Sequence, residues 1–244
     1  MSEKKPYSGL APWFEYLNDD CDYEKWSQYL ITRLEPFHPS VGLDVGCGGG
    51  YFTRAFQKRG WQTTGLDSSA EMLDFAQTKA AKEGVRGEYL LGDITSIKLP
   101  RRFDFATAIN DLVNYIPKTK LRSAFKSVAA ALKKDGVFLF DVSSERKFRE
   151  KIANTVSVDD REEVTYLAFN SVDGDVATLD VTVFSRRSDG AFNRSDERHI
   201  QYIYGETELR SALEETGFEV LSVEGHLGED KKLSDRLCFL ARRR

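Results

Sequence analysis

Five short apolar segments within the first 141 residues each end on an aspartate. They are VGLD at Asp44, TTGLD at Asp67, EYLLGD at Asp93, DFATAIND at Asp111 and VFLFD at Asp141. Helical patterns alternate with these segments, which is typical of a parallel, doubly wound α/β sheet. Ligands of such sheets bind outside the carboxyl ends of the strands. The pattern therefore predicts a rim of carboxylates, which would repel a phosphate and suit a cationic small molecule.

A glycine loop follows the first of these strands directly. Gly46, Gly48 and Gly50 allow positive φ and let the backbone approach a ligand closely. The dinucleotide fingerprint GxGxxG would need glycine at position 51, where this sequence has Tyr51. Asp44, two residues before the loop, also fits poorly beside a pyrophosphate. A nicotinamide-dependent oxidoreductase is therefore a weak alternative.

Composition restricts the setting and the partners. The chain has 244 residues, enough for one large domain or one domain with an insertion. A net charge of −4 offers no bulk attraction to nucleic acid or to an anionic membrane. No apolar run approaches the ~20 residues that span a bilayer, and residues 1–6 lack the apolar core of a signal peptide. Cys21, Cys47 and Cys238 show no CxxC spacing, so we expect free thiols and a cytoplasmic location.

The pattern changes after a helix predicted at about 144–154. Residues 163–172, 175–187 and 191–204 are rich in Val, Thr, Tyr and Phe, and Asp-Gly turn signals separate them. We predict a three-stranded antiparallel meander in an insertion at 155–204, with residues 1–154 and 205–244 forming the main domain. The insertion is expected to roof a ligand pocket or to pair with a second subunit. Earlier in the chain, Ser68 is the predicted N-cap of a helix that ends at Gly84, and a helix from Leu121 is predicted to be capped near Gly136.

The segments LDVGCGGG, GLDSSAEML and LLGD, in this order, resemble class I S-adenosylmethionine-dependent methyltransferases over about residues 40–142. The resemblance implies a Rossmann-like seven-stranded sheet with a reversed last strand and S-adenosylmethionine as the cofactor. A looser similarity spans nearly the whole chain. Through FEYLNDDCDYEKW, NDLVNYI and SDRLCFLARR, the chain is similar to small bacterial methyltransferases built like amino-sugar N-methyltransferases. These commonly have Tyr-Asp where this sequence has Phe14-Glu15.

The resemblance also implies a role for each strand end. Asp44 and the glycines Gly46, Gly48 and Gly50 would meet the methionine part of the cofactor. Asp67 would accept hydrogen bonds from the ribose hydroxyls, with Ser68 beside it. Met72 or Ile94 would pack on the adenine, Asp93 would take its amino group, and Asn110 and Asp111 would border the sulfonium.

A methyl transfer from a sulfonium to the nitrogen or oxygen of a small polar molecule is the expected reaction. It needs mainly alignment of the reacting atoms and exclusion of water, and a general base only if the acceptor arrives protonated. Asp111 and Tyr115 are the favoured catalytic residues, and His199 and Tyr204 are further candidate bases. The three histidines show no metal-ligand spacing, so no metal is expected.

Two alternatives stay open on function. An RNA methyltransferase would need a basic surface around its pocket, which the acidic balance disfavours. A protein that binds the cofactor without turnover would keep the same glycine loop and Asp67. A small-molecule methyl acceptor is the expected partner, and a homodimer through the inserted sheet is a further expectation.

Overall fold

The computed structural model describes residues 7, 9–19 and 21–244, and the prediction made from residues 1–6 lies outside the described residues. Its strands form two separate sheets, one of seven strands and one of four. The strands are β1 (Val41–Val45), β2 (Gln62–Asp67), β3 (Glu88–Leu91), β4 (Phe103–Ala108), β5 (Leu132–Ser143), β6 (Val156–Asp160), β7 (Val164–Asp173), β8 (Val176–Arg186), β9 (Phe192–Tyr202), β10 (Phe218–Gly225) and β11 (Arg236–Arg243).

The large sheet has the strand order β10-β11-β5-β4-β1-β2-β3. Strands β1 to β5 pair in parallel, and β11 runs antiparallel to both of its neighbours. The predicted Rossmann-like sheet with a reversed last strand is therefore confirmed. The chain order reverses between β1 and β4, and a crevice for a ligand opens at such a switch point.

Helices cover both faces of the large sheet. They are α1 (Phe14–Leu17), α2 (Tyr23–Leu34), α3 (Tyr51–Lys58), α4 (Ala70–Lys82), α5 (Leu121–Ala131) and α6 (Glu206–Glu215). Apolar side chains of α2 and α3 bury one face, and those of α5 and α6 bury the other. Within the described ranges, no helix combines the length and the apolar character needed to cross a membrane.

Two local predictions need correction at helix ends. The side chain of Ser69, not Ser68, caps α4, because its hydroxyl accepts a hydrogen bond from the Met72 amide. Helix α5 ends at Ala131, and Gly136 lies inside β5 rather than at a helix cap. Gly84, with φ of +65°, does follow the end of α4 as predicted.

The inserted segment has four strands rather than the predicted three. Strand β6 pairs antiparallel with β7 at the edge of the β6-β7-β8-β9 sheet. Its sequence, VSVDD, begins with the alternation typical of a strand, but the pattern covers only five residues and ends in two aspartates, so the signal is weak. One face of this sheet packs on the N-terminal segment, where Leu10, Trp13, Phe14 and Leu17 contact buried side chains of β7 and β8. The segment and the sheet together lie over the carboxyl edge of the large sheet.

Candidate active site

A cavity of about 490 Å³ lies at the switch point of the large sheet. We call it the cofactor cavity. The loop after β1, the end of β2, the start of α4 and the turn after β4 form its walls, and Tyr7 and Phe14 close it from above. Four carboxylates line it, those of Glu15, Asp44, Asp67 and Glu71. No Lys, Arg or His is found among the described residues of its wall.

Asp44 is buried at the floor of the cofactor cavity, with 2% of its surface exposed. Its two carboxylate oxygens accept hydrogen bonds from the hydroxyls of Thr53, at 2.6 Å, and Thr107, at 2.8 Å. Burial raises the pKa of Asp44 to about 6, because two neutral donors only partly offset the loss of water. A cation placed beside this carboxylate would therefore be attracted to it and would favour its ionised form.

Asp67 ties the end of β2 to the glycine loop. Its carboxylate accepts hydrogen bonds from the backbone amides of Gly48, at 2.8 Å, and Ser69, at 2.9 Å. Burial raises its pKa, and the amide donors partly counter that shift. The residue has no cationic partner among the described side chains that line the cavity, so its charge is open to a ligand.

The glycine loop adopts the left-handed conformation at all three predicted glycines, with φ of +64° at Gly46, +52° at Gly48 and +74° at Gly50. A Cβ on Gly46 would lie 2.5 Å from Leu112 Cδ2, and one on Gly48 would lie 3.0 Å from Met72 Cε. A side chain at Gly46 or Gly48 would therefore press against Leu112 or Met72, which both line the cavity. Gly50 does not line the cavity; it starts α3 and faces Tyr89 and Ala76 instead.

A second cavity of about 180 Å³ adjoins the first along β2 and β3. Asp93 and Ile94 line it, and Ser68 lines both cavities. One oxygen of Asp93 accepts hydrogen bonds from the amide and hydroxyl of Thr95, both at 2.7 Å, and these bonds lower the pKa of Asp93. Met72 is buried and its side chain reaches the wall of the cofactor cavity.

The turn after β4 is held by Asp141. The backbone amides of Asn110 and Asp111 donate to its two carboxylate oxygens at 2.8 and 3.0 Å, and Arg236 forms an ion pair with it. Both turn residues have positive φ, +63° and +51°, a conformation that costs energy and often marks a functional site. The fifth aspartate of the rim therefore positions the turn and lines none of the cavities described here.

A third cavity of about 420 Å³, which we call the acceptor cavity, opens between the large sheet and the inserted sheet. Asp111, Lys147, His199, Gln201 and Arg236 supply its polar wall, opposite apolar side chains of the N-terminal segment and of β8. Asp111 accepts hydrogen bonds from Ser143 Oγ at 2.9 Å and Gln201 Nε2 at 3.2 Å, and it does not reach the cofactor cavity.

Five residues line both the cofactor and the acceptor cavity. They are Tyr7, Phe14, Tyr23, Asn110 and Tyr115. The hydroxyl of Tyr115 lies 3.0 Å from that of Tyr7 and 3.1 Å from His199 Nδ1. Glu197, on the other side of the imidazole, lies 3.1 Å from Nε2. Tyr7 and Glu197 were not predicted; the inward-facing alternation of Glu197, His199 and Gln201 along β9 is the signal that identifies the latter.

One other predicted residue, Tyr204, lines none of the cavities described here, whereas Cys47 lies in the wall of the cofactor cavity. The hydroxyl of Tyr204 is buried and donates to the Ile116 carbonyl, so its candidacy as a base is wrong. Burial raises the pKa of the Cys47 thiol well above its ordinary value, which keeps it protonated. Among the residues that the structure describes, no cluster of three or more His, Cys, Asp or Glu side chains has the arrangement of a metal site.

Comparison with known proteins agrees with this geometry. A family profile described as a methyltransferase domain matches residues 43–136. A Geobacillus protein that carries a methyltransferase name is 29% identical over 97% of this chain and 99% of its own length. A solved S-adenosylmethionine-dependent methyltransferase from Clostridium acetobutylicum superposes with a TM-score of 0.87 at 27% identity, covering 95% of this chain and 96% of that one.

A sugar N-methyltransferase from a Streptoalloteichus species shares the fold, with a TM-score of 0.81 at 18% identity over 95% of this chain and 92% of its own. The full-length relatives, the fold and the carboxylate-lined cavity after the glycine loop all agree. Over residues 43–136 in sequence, and over nearly its whole length in fold, the chain is similar to S-adenosylmethionine-dependent methyltransferases.

Proposed function

We propose that this protein transfers a methyl group from S-adenosylmethionine to a nitrogen or oxygen atom of a small polar molecule. The cofactor cavity carries the proposal, because its carboxylates and its lack of lining cations among the described residues match a cationic donor and oppose a pyrophosphate. When bound, the cofactor supplies an activated methyl group. The protein then has to align the reacting atoms and exclude water.

In this proposal the residues of the cofactor cavity and of the smaller cavity beside it each bind one part of the cofactor. Asp44, Gly46 and Gly48 border its methionine part, and Asp67 with Ser68 binds the ribose hydroxyls. Met72 and Ile94 enclose the adenine, and the oxygen of Asp93 that Thr95 leaves free accepts from its amino group. Asn110 lies at the opening toward the acceptor cavity. Gly50 contributes the start of α3 rather than a contact.

The acceptor cavity supports a small, polar acceptor. Its volume of about 420 Å³ fits a compact molecule, and its polar and apolar walls face each other. The likeness in fold to a sugar N-methyltransferase points in the same direction. We propose that residues 155–204 form a lid unit over this cavity. The arginines of β8 and β9 pair with exposed carboxylates, as Arg198 does with Asp180, and leave His199 and Gln201 facing inward.

The proposed activity is tested by calorimetry followed by a transfer assay. Wild-type protein should bind S-adenosylmethionine and should not bind NAD. Radiolabelled methyl groups should then appear on a member of a panel of amino sugars, simple amines, phenols and nucleosides. Tight NAD binding without S-adenosylmethionine binding would refute the proposal. Steeply salt-dependent RNA binding with RNA methylation would favour the alternative substrate class.

The affinity for S-adenosylmethionine should rise with pH between about pH 5 and 7. Asp44 has a pKa raised to about 6 in the free protein, and a nearby cation lowers that pKa by favouring the carboxylate. The complex then holds fewer protons than the free protein, so binding releases a proton below about pH 6 and the affinity levels off above it. Calorimetry in buffers of different ionisation enthalpy measures this proton directly. An Asp44→Asn variant should show no such dependence on pH; an equal dependence in that variant would assign the proton elsewhere.

We also propose a homodimer that uses the outer face of the inserted sheet in a reducing, cytoplasmic setting. Val156 and Phe169 lie opposite each other on β6 and β7 and are exposed, and a second copy would cover this apolar area. The free thiols of all three cysteines are what such a setting maintains. Sedimentation of the wild type and of a Phe169→Glu variant tests the homodimer: the wild type should be a dimer and the variant a monomer. A monomeric wild type contradicts it.

A further inference from the structure

When His199 is neutral, the hydrogen-bonded chain from Glu197 through His199 and Tyr115 to Tyr7 has one consistent arrangement of protons. The carboxylate of Glu197 accepts from the backbone amides of Tyr7 and Leu10, at 2.7 and 3.0 Å. Burial alone would raise the pKa of Glu197, but hydrogen bonds from His199 and the backbone amides leave it lowered. Glu197 is therefore an acceptor only, and His199 Nε2 carries the proton that points at it.

The remaining directions follow from this tautomer. His199 Nδ1 holds a lone pair, so the hydroxyl of Tyr115 donates to it across 3.1 Å. The oxygen of Tyr115 then accepts from the hydroxyl of Tyr7 across 3.0 Å. The Tyr7 oxygen is left as an acceptor at the junction of the cofactor and acceptor cavities, and no described side chain donates to it.

The Tyr7 oxygen is better placed than Asp111, the other candidate base, to take a proton from the methyl acceptor. The reacting atom of a methyl acceptor must lie where the two cavities meet. Tyr7 and Tyr115 line both cavities, whereas Asp111 lines only the acceptor cavity, where its Oδ2 accepts from Ser143 and Gln201. His199 is 3% exposed and Glu197 5%, so bulk water does not replace the chain. Phe14, which also borders the junction, has no hydroxyl to take this part.

We infer that Tyr7 and Tyr115 carry the proton lost by the methyl acceptor to His199, and that Glu197 is the positioning residue that fixes the imidazole. The inference rests on the proposed methyltransferase function and specifies its substrate class. The acceptor atom bears a proton that it must lose, as a hydroxyl or a protonated amine does. A thioether or an uncharged tertiary amine has no use for the chain.

The step balances in atoms and charge. The lone pair of the acceptor atom forms the new bond to the methyl carbon, and the sulfur keeps the electron pair of the bond that breaks. The acceptor's proton moves to the Tyr7 oxygen, the Tyr7 proton to the Tyr115 oxygen, and the Tyr115 proton to His199 Nδ1. The resulting imidazolium faces the carboxylate of Glu197, which stabilises it. His199 returns the proton to solvent when the product leaves.

Nitrogen-15 spectroscopy of the full-length protein tests the arrangement without any acceptor. The chain has three histidines, and the spectrum of a His199→Gln variant identifies the His199 signals. Near pH 8 we expect a neutral ring protonated at Nε2, with an Nδ1 signal that shifts in a Tyr115→Phe variant. Protonation at Nδ1 would overturn the inference whether or not the protein is a methyltransferase.

Kinetics with the panel compound that the wild type methylates provide the second arm. Tyr115→Phe and Tyr7→Phe should each lower kcat by about 100-fold, as loss of a general base does. The KM of the acceptor and the Kd of S-adenosylmethionine should change by less than about threefold, because only the proton path is broken. Tyr202→Phe is the matched control: it removes a hydroxyl from the strand of His199 but outside the cavities. It should keep the wild-type kcat.

The possible failures are distinguishable. Phenylalanine variants that fold, as thermal unfolding will report, and that keep the wild-type kcat would refute the proton path while leaving the methyltransferase function intact. A wild type that binds the cofactor and methylates no compound of the panel would refute the function, and the inference with it.

Discussion

A Gly46→Ala variant is expected to lose about 2–4 kcal/mol of unfolding free energy and at least about tenfold of its S-adenosylmethionine affinity. The backbone at this position has φ of +64°, which costs any L-residue about 1–2 kcal/mol. The added Cβ would also lie 2.5 and 2.7 Å from the two terminal carbons of Leu112. Relief of that overlap costs the remaining ~1–2 kcal/mol. Leu112 borders both the cofactor cavity and the adjoining smaller one, so its displacement narrows the space for the ligand.

Gly174→Ala separates the two contributions to this loss. Gly174 has a similar φ of +55°, in the turn between β7 and β8, but a Cβ there meets nothing within 4 Å. This control should lose only about 1–2 kcal/mol and should bind the cofactor as the wild type does. Chemical unfolding and calorimetry on both variants measure the difference. Equal losses in the two proteins would mean that contact with Leu112 contributes nothing.

Site residues that lie at or near the end of a strand could be predicted from the sequence alone. Asp44, Gly46 and Asp67 each stand where a strand meets its loop, so their place at the switch point follows from strand order and the parallel arrangement alone. Met72 and Ile94 lie within a few residues of such an end, and they too reach the cavities. Gly50 and Asp141 show the limit of the pattern: they resemble their neighbours in sequence but support the backbone.

The proton path was beyond sequence reasoning for a physical reason. Tyr7 lies 108 residues from Tyr115, and His199 lies 84 residues from it. Their meeting depends on how the inserted sheet and the N-terminal segment pack together, which apolar contacts among Leu10, Val181 and Val183 determine. Periodicity shows that His199 shares a strand face with Glu197 and Gln201, but it does not show what that face meets.

Replacing Asp67 with alanine should weaken S-adenosylmethionine binding by about 1.5–3 kcal/mol, or roughly 10- to 150-fold in Kd. Two losses combine in this expectation. The ribose hydroxyls would lose a charged acceptor, and the Gly48 amide would lose the 2.8 Å hydrogen bond that fixes the glycine loop. Calorimetry gives the change in Kd. Asp74→Ala, which removes an equal charge from the exposed side of α4, is the control for net charge and should bind normally.

An Asp67→Asn variant decides which loss dominates. The amide keeps one oxygen and the shape of the side chain, so it can still accept from one of the two backbone amides, but it carries no charge. If the charged contact to the ribose is the main contribution, Asp67→Asn binds nearly as weakly as Asp67→Ala. If order in the glycine loop dominates, the asparagine variant recovers most of the affinity, because its amide oxygen can still accept from the Gly48 amide. Wild-type affinity in both variants would remove Asp67 from the binding site, and the carboxylate-lined cavity would then need a different explanation.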